Sequence, residues 1–63
     1  MPKTDVIVKL IGEDGNAYSI LGKVSYALKR AGYKQEAEDY LKEATSGDYD
    51  NLLKVTMDYV EVE

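Results

Sequence analysis

Cysteine, histidine, phenylalanine and tryptophan are all absent from this chain. Without cysteine there is no disulfide and no thiolate zinc site. Without histidine the commonest metal ligand and the commonest general base are missing too. Long apolar runs are absent as well. None approaches the roughly 18 residues that a membrane span requires, and residues Met1 to Asp5 lack the apolar stretch of a secretory signal. A cysteine-free composition suits a reducing cytosol, so a cytoplasmic protein with no membrane partner is expected. Basic residues are in the minority, eight against twelve acidic, for a formal charge of −4. A chain of that sign is repelled by nucleic acid and by anionic membranes at long range, which argues against nucleic acid as the partner.

These absences also limit what can hold the fold together. The 63 residues make one small domain, 1–63. A domain of this size buries only about 60% of the surface its unfolded chain exposes, and one such core supplies roughly 3–5 kcal/mol. With disulfide and metal staples excluded, tight packing or self-association must supply the rest. The same small volume leaves little room for a pocket that encloses a substrate. No enzymatic activity, catalytic residue, metal or cofactor is therefore expected.

What is present patterns as an α+β fold in the order β-α-α-α-β. From Asp5 to Ile11, Val6, Val8 and Leu10 alternate with Ile7, Lys9 and Ile11, which is the period-two, β-branched pattern of a strand. Because Ile7 and Ile11 are also apolar, the second face is expected to be partly covered. A first helix is expected from about Ala17 to Ala31, on a stripe of Tyr18, Leu21, Val24, Leu28 and Ala31 widened by Ile20 and Ala27. Gly22 inside it suggests close packing against a neighbour, and Gly32 is placed as its left-handed cap. A second helix spans about Lys34 to Thr45 on Ala37, Tyr40, Leu41 and Ala44, with Gly47 as its left-handed cap. A third runs from about Tyr49 to Asp58 on Leu52, Leu53 and Thr56, broadened by Val55 and Met57. Tyr59 to Glu63 alternates again and reads as a short second strand, paired with the first and parallel to it.

This alternation of direction brings two glycine-containing acidic loops to one end. The first is Gly12-Glu13-Asp14-Gly15-Asn16, and the second is Thr45-Ser46-Gly47-Asp48-Tyr49-Asp50. Glu13, Asp14, Gly15, Asn16, Ser46, Gly47, Asp48 and Asp50 are the candidate polar-loop residues. Most of their chemistry is that of caps and turns: Asn16 and Asp48 as N-caps, Gly15 and Gly47 supplying positive φ. Asp14, Asp48 and Asp50 could offer oxygens to a divalent cation, but they are fragments of the spacing a calcium loop needs. The two helix N-termini could accept a small anion such as a nucleotide or phosphate, although no lysine or arginine lies in either loop. The first loop lacks the Gly-Lys-Ser/Thr signature of a phosphate loop.

A second candidate surface is basic. Lys23, Lys29, Arg30 and Lys34 surround the end of the first helix, interleaved with Tyr26 and Tyr33. Lys23, Tyr26 and Arg30 share a face at i, i+3 and i+7. Nucleic-acid binding would place the cations on phosphates and the rings on bases, but a solvated face with cations complementing the helix dipole explains the same residues. Of the six tyrosines, Tyr18 and Tyr40 fall on apolar stripes and are expected in or at the core. Tyr26, Tyr33 and Tyr49 are expected to be partly exposed. Exposed tyrosine is good interface material, so Tyr26, Tyr33, Tyr49, Lys23 and Arg30 are the candidate interface residues.

The segments Val8 to Ala17, Ile20 to Val24, Glu43 to Asp50 and Tyr59 to Val62 resemble a group of small uncharacterised bacterial, phage and plasmid proteins. The resemblance covers most of the chain. It implies a small cytoplasmic protein in a mobile-element setting and carries over no activity and no catalytic residue. The expectation is therefore a non-enzymatic binding or accessory protein that works through contacts with a protein partner or with itself as a homodimer. Capture of a small anionic ligand at the helix N-termini, and nucleic-acid binding at the basic end of the first helix, are the alternatives.

Overall fold

The computed structural model describes residues 2–10, 12 and 15–63. Its elements follow the order β1 (Ile7–Val8), α1 (Ala17–Arg30), α2 (Lys34–Ala44), α3 (Tyr49–Tyr59) and β2 (Glu61–Val62). The fold is α+β, and the two strands are parallel, with Ile7 opposite Glu61 and Val8 opposite Val62. Hydrogen bonds extend the pairing at both ends. Glu61 N donates to Val6 O at 2.8 Å, Glu63 N to Val8 O at 2.9 Å and Leu10 N to Glu63 O at 2.7 Å.

Both strands are shorter than their alternation suggests, and the second starts later because α3 runs on to Tyr59. Tyr59 earns that position in the core, edge-on to Tyr40 with ring centroids 5.6 Å apart. The last carbonyls of α3 are then taken up by the N-terminal segment. Lys3 N donates to Asp58 O at 2.7 Å, and the Thr4 hydroxyl donates to Tyr59 O at 2.7 Å. A strap from the far end of the chain thus satisfies groups that a helix terminus leaves open.

The core is built from Ile20, Val24 and Leu28 of α1, Ala37, Tyr40 and Ala44 of α2, and Leu52, Val55 and Tyr59 of α3, closed by Val8 and Val60. The two alanines keep α2 thin, and it packs against both of the other helices. One buried polar pair crosses this core. Thr56 Oγ1 donates to Leu52 O at 2.8 Å, which commits its only proton, so the Tyr40 hydroxyl donates to Thr56 at 2.8 Å. Among the described residues no buried side-chain polar atom lacks a partner.

Several expectations are corrected here. Tyr18 is 84% exposed. The buried face of α1 follows the i, i+4, i+8 row of Ile20, Val24 and Leu28, and two three-residue steps from Tyr18 to Val24 rotate about 120° around the helix. Ala31 caps α1 and is exposed. Gly22 has no atom within 4 Å of where a Cβ would stand, so no neighbour packs closely on it. Ile7 is 55% and Met57 59% exposed, because helices cover only the Val6–Val8–Leu10 face of β1, and Leu52, Val55 and Tyr59 already fill the inner side of α3. Gly32 does cap α1 in the left-handed region at φ +94°, with Tyr33 N closing the turn onto Leu28 O at 2.8 Å. Gly15 and Gly47 do not have positive φ. What Gly47 supplies is room: a Cβ there would lie 3.0 Å from Asn51 Cβ.

Candidate functional site

Each loop is shaped by its own side chains. Asn16 Oδ1 accepts from Tyr18 N at 2.9 Å and caps α1, while Asp48 Oδ1 accepts from Asn51 N at 2.9 Å and caps α3. The end of α2 is closed by side chains instead of a left-handed residue. Ser46 Oγ donates to Glu43 O at 2.7 Å, and Asn51 Nδ2 donates to the same carbonyl at 2.9 Å. The loops meet where the Tyr49 hydroxyl donates to Gly15 O at 2.5 Å. Gly15, Asn16, Ser46, Gly47 and Asp48 therefore gather at one end, with Asp50 exposed in the first turn of α3. Glu13 and Asp14 lie outside the described residues. No three acidic side chains among the described residues are grouped as a metal ion would need, and Asn16, Ser46 and Asp48 spend their oxygens on backbone groups.

Beside this junction lies a feature the sequence did not announce. An open apolar groove of about 270 Å³ runs between Leu10, Ile20, Tyr49, Leu53, Met57 and Val62. On the other side of Tyr49 a second hollow of about 310 Å³ is bordered by Tyr18, Leu21, Ala44, Asp48 and Leu52. The Tyr49 ring, 45% exposed, stands as a ridge between them. The signal was present as the i, i+4, i+8 row Tyr49–Leu53–Met57, which is distinct from the buried row of α3. Reading all apolar residues of that helix as one broad face merged the two. The α3 and β2 wall comes from an acidic stretch of chain, while the Leu10 and Ile20 wall does not. From Tyr49 to the last residue, Asp50, Asp58, Glu61 and Glu63 stand against Lys54 alone.

The candidate interface residues divide between places. Tyr26 is 63% exposed on the outer side of α1. Arg30 Nη1 donates to its hydroxyl at 3.2 Å, with the guanidinium carbon 6.0 Å from the ring centroid. Lys23 Nζ reaches Lys9 O at 3.5 Å. Tyr33 is turned away from them and donates to Asp5 Oδ1 at 2.8 Å, a bond that raises its pKa because the neutral phenol is the donor.

Tyr59, read as a strand residue, is a buried junction. Its hydroxyl donates to Glu43 Oε2. Lys3 Nζ lies 3.8 Å from that same oxygen, 3.4 Å from the hydroxyl and 4.5 Å above the ring. Burial first, and then the Glu43 carboxylate, push the phenol well above its ordinary pKa. This cluster ties the N-terminal strap to α2 and α3. Among the described residues no helix is long and apolar enough to cross a membrane. Comparison with protein-family models, curated proteins and solved structures returns no match, so the functional reading rests on the residues themselves.

Proposed function

We propose that this protein acts without catalysis, by holding a protein partner in the groove beside Tyr49. The observation that carries the reading is an apolar groove left open while Tyr49 and Met57 stand at its edge in water. Covering the exposed half of a side chain of that size is worth about 1 kcal/mol each, and exposed Tyr and Met are typical of interface centres. The groove has few polar groups to orient a small molecule. Thr56, the one hydroxyl side chain on its inner wall besides the Tyr49 ridge, is already committed to Leu52 and Tyr40. An apolar anchor flanked by basic residues fits both the lining and the acidic stretch that carries the α3 and β2 wall. A cytoplasmic, mobile-element accessory role is proposed on the absence of cysteine and on the resemblance of the four segments given above, and on those grounds alone.

The test is capture of bound proteins from the native host by the wild-type chain and by Met57→Asp. Met57 is more than half exposed, so the variant should unfold within a few degrees of wild type. The specific partner should be lost. Recovery of the same partner by Met57→Asp would remove the groove from its role.

A further inference from the structure

The charges of this chain are segregated along the fold. From Asn16 to Lys34 there are four basic residues, Lys23, Lys29, Arg30 and Lys34, and no acid. From Gln35 to Glu63 nine acids stand against Lys42 and Lys54, a net of −7. Three of these cations, Lys23, Lys29 and Arg30, are on α1, and its outer side is also aromatic. Tyr18 and Tyr26 are both exposed at i and i+8, and Gly22 between them carries no side chain and has nothing packed upon it. The two rings flank a flat gap at Gly22, and Lys29 and Arg30 follow Tyr26 in the last turn of the helix. The apolar groove has one wall from α3 and β2, which belong to the acidic stretch, and another from Leu10, Gly15 and Ile20. The two surfaces adjoin, because Tyr18 and Tyr49 border the same hollow.

From this arrangement we infer that the occupant of the groove is a second copy of this chain, with the aromatic and basic face of α1 seated against the apolar and acidic face of α3 and β2. The inference rests on the reading of the groove as a protein-binding site and names its partner. Each copy carries both halves of the complementarity side by side. A two-fold-related pair can then make the contact twice, and the assembly closes as a dimer instead of growing into a filament. Tyr18 and Tyr26 supply rigid contact area, Met57 and Leu53 the apolar floor, and Lys29 and Arg30 meet Asp50 and Asp58.

The experiment is sedimentation velocity on the full chain across protein concentration, at low salt and at roughly 0.5 M salt, where surface charges are screened. A dimer at low salt that weakens by at least roughly tenfold at high salt is expected. The paired reversals Lys29→Glu with Arg30→Glu, and Asp50→Lys with Asp58→Lys, should each give monomers. An equimolar mixture of the two should sediment as a dimer again, which also shows that both variants are folded. A wild-type monomer at roughly millimolar concentration and low salt, a dimer indifferent to either reversal, or a mixture that stays monomeric would each overturn the inference. So would a monomer whose α1 face instead binds a labelled oligothymidylate in a manner abolished by Lys29→Glu with Arg30→Glu. If the wild type is monomeric while Met57→Asp still loses a captured host protein, the second copy is excluded and the groove reading stands.

Discussion

The Tyr59 phenol is held between opposite charges, with Glu43 accepting its proton and Lys3 over its ring. Burial and the carboxylate both favour the neutral phenol, so its pKa in the folded chain lies above the unfolded value. The direction fixes the pH window. Below the ordinary tyrosine pKa, near 10, folded and unfolded chains both keep the proton, and the contribution is constant. Above it the unfolded chain ionises first, and stability falls as pH rises. Burial raises Tyr40 in the same direction, so the loss is shared. The bond to Asp5 raises Tyr33 as well, so Tyr59→Phe keeps the edge-on ring contact and removes one of three titrations. Urea unfolding at neutral pH should show a cost of about 1 kcal/mol for the lost bond to a charged, part-exposed acceptor. Between neutral and alkaline pH the variant should lose less stability than wild type. An equal alkaline loss in both would show that Tyr59 ionises as freely folded as unfolded.

At the scale of elements, two glycines that look alike in sequence have opposite roles. Gly22 sits in the interior of α1 with open space around it, so Gly22→Ala should stabilise by about 0.5–1 kcal/mol through helix propensity and reduced freedom of the unfolded chain. Gly47 faces Asn51, which is pinned through Nδ2 to Glu43 O and through its own N–H to Asp48. Gly47→Ala should displace that side chain and cost about 1 kcal/mol. Thermal unfolding reads both, and opposite signs of the Tm change are the expected outcome. The three helices, both caps of α1 and the N-cap of α3 were legible because periodicity and capping act within a few residues, while the cap expected of Gly47 on α2 was not borne out. Asn16, Gly32 and Asp48 declare their positions locally. Apart from the parallel pairing of the two end strands, contacts between distant residues were not legible. The Lys3–Thr4 strap on the end of α3 joins residues more than fifty positions apart, and the inner position of Tyr59 is set by Tyr40. The site was legible by halves. The spacing of the elements placed both loops at one end, and the structure joins them through Tyr49. The groove escaped because an apolar residue on a helix does not say whether it faces the core or the water beyond it. Tyr18 was misplaced inward, and Met57 was merged with the core, for that one reason.

At the scale of the whole molecule, a net charge of −4 conceals a separation that composition cannot express. The cations of α1 and most of the anions belong to different elements, so the net charge understates what either region can attract. It also means that self-repulsion between copies depends on orientation. Like faces repel, while the α1 face of one copy and the groove face of another attract. Under the proposed pairing only the folded chain associates, and association then adds to folding stability by mass action. The Tm at low salt should therefore rise with protein concentration, by a few degrees for each roughly tenfold increase once dimers dominate. High salt should flatten the dependence, as should Lys29→Glu with Arg30→Glu. Differential scanning calorimetry over a wide concentration range measures this directly. A Tm independent of concentration at low salt would mean that the two faces never meet, and that the acidic groove is kept for a partner with a different basic surface.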